Sequence, residues 1–176
     1  MRRVLSVIPF LCLLFALSAC SSTPPSEPLT IGSQVDFAAL EDQHGKAFSY
    51  QTVMQTLLFV DSMDAKDKVR DVLGSLRMSC LEEGRVVYLA DISGMPLIIS
   101  KLIAVPRLRE YEYPIWLDYN GLATQQLPTH EDQVTYVQVY GGTIRAIEFI
   151  EDPKILLSRL LPQCGPAQQQ MANGEE

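Results

Sequence analysis

The sequence predicts an α/β domain: a three-layer sandwich built on a central mixed sheet, with a closing antiparallel hairpin and a C-terminal helix. Two observations predict it. The strand-like runs "TLLFVD" and "RVVYLADI" are each followed by a helix-like run, and strand–helix–strand units impose parallel crossovers. The later runs "VTYVQVY" and "TIRAIEFI" are separated only by Gly141 and Gly142, which is a hairpin signal because both glycines accept a positive φ.

The helix after the first strand has the clearest periodicity in the chain. Its apolar residues recur at the i, i+3, i+4, i+7 and i+11 spacing of one helix face, namely at Val69, Val72, Leu73, Leu76 and Cys80. Asp64 is the predicted N-cap, and Gly84 stands just past the predicted end. The sequence therefore predicts one long helix between these two residues.

The remaining elements complete the predicted domain. The residues from Ile31 predict a small hairpin or cap, "SGMPLIISKLIAV" predicts a second helix capped by Ser93 or Gly94, and "YPIWLD" predicts a short third strand. "EDPKILLSRLLP" predicts the closing helix, with Asp152 as N-cap and Pro153 at the first helical position. The tail, residues 164–176, is predicted to be disordered.

The N-terminus predicts a secretory signal peptide. Arg2 and Arg3 precede the apolar run "VLSVIPFLCLLFAL", which at about 14 residues is shorter than the roughly 20 that a membrane-spanning helix needs. Its closing "LSAC", Leu17 to Cys20, resembles the bacterial lipobox, in which cleavage precedes a cysteine that becomes lipidated. The alternative is an ordinary cleaved signal that leaves Cys20 free or disulfide-bonded.

The residues after Cys20 predict how the domain is held. "SSTPPSEP" has no large apolar residue and three prolines, which is typical of an extended tether. The predicted organisation is a signal peptide at 1–19, the lipidated cysteine and tether at 20–30, and the domain at 31–163. Serine after the cysteine resembles the outer-membrane sorting pattern. It implies a lipid anchor in the bacterial outer membrane, with the domain facing the periplasm.

Charge limits the partners that the mature chain can bind. Removing residues 1–19 removes Arg2 and Arg3 and leaves 12 basic and 21 acidic residues, a net charge of −9 with neutral histidines. The body of the chain has no Lys/Arg cluster, which excludes nucleic acid as a partner. An acidic surface also repels anionic lipid, so membrane contact is expected through the lipid anchor alone.

From about Val35 to Leu161 the chain resembles thioredoxin-like proteins of the peroxiredoxin and envelope thiol-reductase type. "DFAALEDQHGKAFSY" is similar to their opening motif, "TLLFVDSMDAKDKVRDVL" to their active-site strand and helix, and "VTYVQVYGGTIRAIEFI" to their closing hairpin. The family also places a cis-proline before that hairpin, which "LPT", Leu127 to Thr129, resembles. The resemblance implies a thioredoxin-like fold with its active site at the turn that starts the first helix.

The catalytic part of the family pattern is missing from this turn. The family's redox chemistry needs a thiolate at the helix N-terminus and a second cysteine three residues on. The degenerate turn has no cysteine and consists of Ser62, Met63, Asp64, Ala65, Lys66 and Asp67. A copper-delivery relative would need two thiols there and a histidine, whereas His44 and His130 have no partner cysteine. No catalytic residue, metal or cofactor is predicted.

Two cysteines remain after Cys12 leaves with the signal peptide and Cys20 takes the lipid. An even remainder in an oxidising periplasm predicts a disulfide between Cys80 and Cys164. The predicted fold supports this pair, since the first and last helices follow strands that run the same way and should end near each other. Free thiols and a redox pair remain as alternatives.

Two further clusters have competing interpretations. Four aspartates surround the helix start: Asp61, Asp64, Asp67 and Asp71. They could bind a hard cation, but solvation of the helix N-terminus is favoured because acids there stabilise the helix dipole. "REYEYPIWLDYNG" contains four aromatic residues, of which Tyr113 and Trp116 form a candidate peptide-binding rim. Ordinary strand and edge packing is the favoured interpretation of these aromatic residues.

Together these features predict a lipid-anchored periplasmic domain without dithiol chemistry. It would act as a binding, scaffold or assembly factor, with an envelope protein as its partner. The alternative function is a thiol–disulfide oxidoreductase or peroxiredoxin-like enzyme that uses Cys80 and Cys164. Metal carriage by the aspartate cluster is a third hypothesis.

Overall fold

The computed structural model describes residues 27–167. Its strands are β1 (Glu41–Asp42), β2 (Thr56–Val60), β3 (Val86–Asp91), β4 (Ile115–Asp118), β5 (Val134–Tyr140) and β6 (Thr143–Ile150). Its helices are α1 (Met63–Leu73), α2 (Ser79–Glu82), α3 (Leu97–Ile99), a π-helical segment (Ser100–Ala104), α4 (Val105–Leu108) and α5 (Pro153–Cys164). The predicted signal peptide, Cys20 and most of the predicted tether and tail lie outside the described residues.

The strands form one mixed sheet in the order β1-β4-β3-β2-β5-β6. Strands β2, β3 and β4 are parallel, β5 pairs antiparallel with β2, and β6 pairs antiparallel with β5. β1 pairs antiparallel with β4. These pairings confirm the predicted mixed sheet and its closing hairpin. We name the side on which β2, β3 and β4 end the carboxyl edge, and the side on which they begin the amino edge.

The sheet separates two cores. The first lies between the sheet and helices α1, α2, α4 and α5, and it contains Leu58, Tyr88 and Leu160. The second lies on the opposite face, where N-terminal residues cover the sheet, and it contains Phe37 and Trp116. The helices share one face because the right-handed crossovers from β2 to β3 and from β3 to β4 move in the same direction. The three layers are therefore helices, sheet and N-terminal cap.

The long helix predicted from Asp64 is two helices in the structure, α1 and α2. α1 ends before Gly74, whose helix propensity is low. The next residues contact the chain beyond α5, where Leu76 forms an isolated β-bridge with Pro166. This bridge holds the connection between α1 and α2 in a non-helical conformation. Backbone contacts thus continue past residue 163, the predicted end of the domain.

The second predicted helix runs through α3, the π-helical segment and α4. The Val105 N–H donates to the Ser100 carbonyl, five residues earlier, and the next residue, Pro106, has no N–H to donate. The N-cap is Pro96, without a side-chain hydrogen bond, so neither predicted cap residue is used. We name the twelve residues Leu97–Leu108 the apolar helix, because eight of them are Leu, Ile, Val or Ala.

The closing helix agrees with the prediction. α5 begins at Pro153, and the Asp152 carboxylate accepts the Lys154 N–H at 2.8 Å, so the predicted N-cap is confirmed.

Within the described residues, no helix is long and apolar enough to cross a membrane.

Candidate functional site

Three loops lie at the carboxyl edge because they follow three parallel strands. The turn after β2 starts α1, one loop leads from β3 to the apolar helix, and another follows β4. The Ile92 N–H donates to the Asp118 carbonyl at 3.0 Å. A Cβ placed on Gly121 would lie 2.8 Å from the Ser93 Oγ. The loops after β3 and β4 are therefore in contact, at the edge where the family resemblance places an active site.

Ser62 occupies the start of α1 as its N-cap. Its backbone is extended, its Oγ accepts the Ala65 N–H at 3.2 Å, and its carbonyl accepts the Lys66 N–H at 3.1 Å. The hydroxyl thus satisfies an amide that has no partner inside the helix. Ala65, three residues on, is fully buried. The turn keeps the geometry of a helix start and lacks a thiol nucleophile.

The aspartates around this turn are solvated or paired with an arginine. Asp67 and Asp71 lie 2.7 and 2.9 Å from Arg70, while Asp61 and Asp64 are exposed. The hydrogen bond that Arg70 donates to Asp71, followed by the charges of Asp67 and Asp71, raises the pKa of Arg70. Among residues 27–167, no group of three or more His, Cys, Asp or Glu side chains is placed to hold a metal ion. This geometry supports the helix-start interpretation of the cluster.

The loop before β5 is tied to α1 at the same edge. Lys68 Nζ donates to the Asp132 carbonyl at 2.9 Å, and Thr135 Oγ1 donates to the Pro128 carbonyl at 2.8 Å. No peptide bond in the described part of the chain is cis, so the Pro128 bond is trans. The stretch from Leu127 therefore does not provide the cis-proline that the resemblance implied.

The structure joins Cys80 to Cys164 in a disulfide. The bond lies at the amino edge, since α2 precedes β3 and α5 runs back from the end of β6. Hydrogen bonds link the same region to the sheet: Gln163 Nε2 donates to Thr56 Oγ1 at 2.9 Å, and Arg85 Nη1 donates to the Gln163 carbonyl at 2.6 Å. The disulfide therefore crosslinks the edge opposite the degenerate turn.

Tyr113 and Trp116 do not form the predicted binding rim, because their exposed fractions are only 5% and 0%. Trp116 lies in β4, which is buried on both faces, and packs edge-on against Phe48 and Tyr50 with ring centroids 4.8 and 5.7 Å away. Burial raises the pKa of the Tyr113 phenol. The rim hypothesis was wrong, and the favoured interpretation holds, because these aromatic residues pack in the two cores.

Asp118 organises the loop after β4. Its Oδ1 accepts the N–H groups of Asn120 and Gly121 at 3.2 and 2.9 Å. Its Oδ2 accepts the N–H groups of Ala123 and Thr124 at 2.8 and 2.9 Å, and the Thr124 hydroxyl at 3.1 Å. Five hydrogen bonds to one buried carboxylate fix the loop. A cleft of about 190 Å³ opens beside it.

Sequence reasoning missed an apolar surface next to this edge. Six large apolar side chains are exposed there: Met95, Leu97, Ile98, Ile99, Leu102 and Ile103. The run "PLIISKLIAV" is what a buried helix would also contain, so hydrophobicity alone does not reveal the exposure. The available signal was the missing polar face, which a helix on the surface of a globular domain normally has.

No protein-family model and no curated protein matches this sequence. Several solved structures are similar in fold, including two solution structures. One is the solution structure of a candidate protein disulfide isomerase from Bacteroides thetaiotaomicron, with a TM-score of 0.49 and 11% identity. The alignment covers 77% of this chain and 90% of the chain in that structure. The solution structure of an uncharacterized thioredoxin-like protein from Porphyromonas gingivalis has a TM-score of 0.44 at 14% identity, with coverages of 76% and 90%.

The order and direction of the strands define the class of domain. Parallel strands connected through helices on one face, closed by an antiparallel hairpin and a C-terminal helix, make a thioredoxin-like fold. The chain is therefore a thioredoxin-like domain, and its first helix begins without a cysteine.

Proposed function

We propose that this chain is a lipid-anchored domain of the bacterial envelope that acts as a binding, scaffold or assembly factor and performs no dithiol chemistry. The observation that carries the proposal is the separation of the cysteines from the helix start. Ser62 occupies the N-cap where the resemblance places a thiolate, while Cys80 and Cys164 are bonded to each other at the opposite edge. Among the described residues, the carboxyl edge therefore has no thiol with which to exchange electrons, and it remains available for contact with a partner.

The proposed location is supported by the N-terminal sequence. The lipobox-like "LSAC" ends at Cys20, and the tether "SSTPPSEP" leads from it to the domain. A lipid on Cys20 would hold the domain on the periplasmic side of the outer membrane. The proposed partner is accordingly an envelope protein.

The proposed partner surface is the carboxyl edge. Tyr119 and Leu122 are exposed there, on the loop that Asp118 fixes, beside the cleft of about 190 Å³. A rigid loop that presents an aromatic side chain next to a cleft suits peptide binding. Tyrosine is enriched at protein interfaces, and a loop that is already fixed loses little conformational entropy on binding.

Burial disfavours the alternative in which Cys80 and Cys164 act as an oxidoreductase pair. Attack on a disulfide needs a thiolate in a partly exposed, electropositive position. Cys80 has no exposed surface and Cys164 is buried beside it. Cys164 also ends its helix, where the helix dipole disfavours the negative charge of a thiolate.

Insulin-reduction and peroxide-reduction assays test the absence of dithiol chemistry. We expect no activity from the wild-type chain or from Cys80→Ser/Cys164→Ser. The matched positive control is Ser62→Cys/Ala65→Cys, which places two thiols three residues apart at the start of α1, where the helix N-terminus lowers a thiol pKa. Activity in the control shows that the assay detects this fold. Wild-type activity that disappears in Cys80→Ser would refute the proposal.

Site-specific crosslinking in intact cells tests the binding role. A photoreactive amino acid at Leu122 is expected to capture an envelope protein, whereas the same group at Tyr140, which is exposed at the amino edge, is not. Equal capture at both positions would contradict binding at the carboxyl edge. Metabolic labelling with palmitate tests the anchor separately, and we expect the label in the wild-type chain and its loss in Cys20→Ser.

A further inference from the structure

The apolar helix is poorly covered by the described part of the chain. Of its twelve residues, only Ser100 and Val105 are buried, and the exposed fractions of Ile98 and Leu102 reach 70% and 71%. A helix whose exposed side chains are mainly large and apolar is normally covered by protein or lipid. Together with Met95, the helix exposes six large apolar side chains within nine residues, and a large exposed apolar patch marks an interaction site.

The charge of this region differs from that of the whole chain. No Asp or Glu occurs from Ile92 to Arg109, whereas Lys101, Arg107 and Arg109 all occur there, in a chain whose net charge is −7. All three cations are exposed, and no ion-pair partner for them is found among residues 27–167. Exposed cations beside large aliphatic side chains, without acids, are typical of a helix that lies in the headgroup region of an anionic bilayer.

The N-terminal chain joins the domain near the apolar helix. The Leu29 N–H donates to the Gln126 carbonyl at 2.7 Å, which places it beside the loop after β4. That same loop contacts the loop that leads into the apolar helix, where Gly121 approaches Ser93. Leu29 follows Cys20 by nine residues, which span at most about 30 Å when extended. A lipid on Cys20 would therefore keep this side of the domain near the bilayer surface.

We infer that the apolar helix lies in the headgroup region of an anionic phospholipid bilayer. Ile98 and Leu102, four residues apart and most exposed, enter the lipid, while Lys101 and Arg107 contact phosphates. This contact goes beyond the proposed binding role and rests on the proposed lipid anchor. It replaces the expectation that the membrane is reached through the lipid alone. It also turns the carboxyl edge, with its partner surface, toward proteins at the membrane surface.

Hydrogen exchange of the apolar helix in the reconstituted full chain tests this contact. The chain is incorporated into vesicles of phosphatidylethanolamine with phosphatidylglycerol, and separately into vesicles of phosphatidylcholine. A single Lys or Arg near an anionic surface contributes about fivefold to binding, so we expect exchange at 97–108 to be at least about fivefold slower on the anionic vesicles. High salt should remove most of that difference, because it screens the cations.

Three variants assign the protection to the apolar helix. Ile98→Ser/Leu102→Ser should lose it, and both positions are exposed, so the fold is retained. Lys101→Glu/Arg107→Glu should remove only the difference in exchange rate between the anionic and the phosphatidylcholine vesicles. The matched control is Val53→Ser/Leu161→Ser, which removes exposed aliphatic side chains at the amino edge and should behave like the wild type.

Several outcomes would overturn the inference. Equal exchange rates on both vesicle types would refute binding to an anionic bilayer. Protection that increases with protein concentration would show that the patch binds a second copy of the chain. Protection that needs added envelope proteins would assign it to a protein partner. Mass spectrometry of Cys20 in the same samples separates the two proposals: an unmodified Cys20 would refute the anchor, while unchanged exchange in a lipidated chain would refute only the membrane contact.

Discussion

The two edges of the sheet differ in how they are held and in what they expose. The amino edge is held by the Cys80–Cys164 disulfide and by the hydrogen bond that Gln163 donates to Thr56 of the sheet. The carboxyl edge has no disulfide among the described residues, and it contains the start of α1, two connected loops and the beginning of an exposed apolar helix. In this chain the cysteines stabilise one edge, which leaves the opposite edge available for contacts.

Removing the disulfide should have the largest effect on stability. Cys80 and Cys164 are 84 positions apart, and closing a loop of that length contributes about 4.5 kcal/mol by the chain-entropy argument. We expect Cys80→Ser/Cys164→Ser to lose most of that free energy of unfolding. Urea denaturation followed by the fluorescence of Trp116, the only tryptophan, measures it.

The wild-type chain in a reducing buffer serves as the control and should match the double variant. A loss below about 1 kcal/mol would mean that the bond does not stabilise the native fold. A change in hydrogen exchange confined to the carboxyl edge would contradict the separation of the two edges.

Asp118→Ala should have the next largest effect, and it acts at the carboxyl edge. The substitution leaves several donors around one buried position without an acceptor, which should cost about 3 kcal/mol. Asp91→Ala is the matched control, because Asp91 pairs with Asp118 in the strand register but is exposed and accepts only the Ser93 N–H. We expect that control to cost about 1 kcal/mol or less in the same denaturation experiment.

A comparable loss in both aspartate variants would show that burial of the Asp118 carboxylate is not what fixes the loop. Loss of crosslinking from Leu122 in Asp118→Ala alone would connect the fixed loop to partner binding.

Gly84→Ala should destabilise the amino edge by about 2 kcal/mol. Gly84 has φ +73°, and a Cβ there would lie 2.0 Å from Cγ of the Tyr50 ring. The ring is held in place because the Tyr50 hydroxyl donates to the Glu82 carbonyl at 2.6 Å. In a Tyr50→Ala background the cost of Gly84→Ala should fall to that of the left-handed backbone, about 1 kcal/mol. Thermal unfolding of the four chains measures this coupling, and additive effects would disprove it.

Ser62→Ala should have the smallest effect, about 1 kcal/mol, because it removes the acceptor for the Ala65 N–H. The matched control is Ser158→Ala, in the middle of α5, which should change the stability by only a few tenths of a kcal/mol. If crosslinking from Leu122 is unchanged in Ser62→Ala, the turn serves only to start the helix. Loss of capture in a folded Ser62→Ala chain would instead place the hydroxyl in the partner surface.

The successful predictions from sequence were those in which a local backbone requirement determines the residue type. Gly141 and Gly142 predicted the hairpin because a tight turn needs positive φ, and Asp152 predicted the start of α5 because a free carboxylate caps helix amides. The break at Gly74 was missed because the apolar spacing continues to Cys80. Only the contact with Pro166, 90 residues away along the chain from Leu76, holds the connection out of the helix.

The candidate site was predicted less well, because side-chain direction depends on the layers around it. Trp116 and Tyr113 have the composition of a binding surface, and both are buried once β4 is placed between two covered faces. Ile98 and Leu102 have the composition of a core, and both are exposed because little of the apolar helix faces the first core. In both cases the apolar composition indicated that these side chains contact other apolar groups. It did not indicate whether those groups belong to the core of this domain or to another molecule.

The position of the disulfide also bears on how the chain is made. If the chain is exported as proposed, Cys80 would cross the membrane well before Cys164, and its thiol could form the correct disulfide only after the last helix had also crossed. If Cys20 remained a thiol, three cysteines would be present and Cys80 could first pair with the nearer one. Acylation of Cys20 would remove that competitor and leave a single pairing. On this proposal the lipid that anchors the mature chain also protects its oxidative folding, without the need for an isomerase.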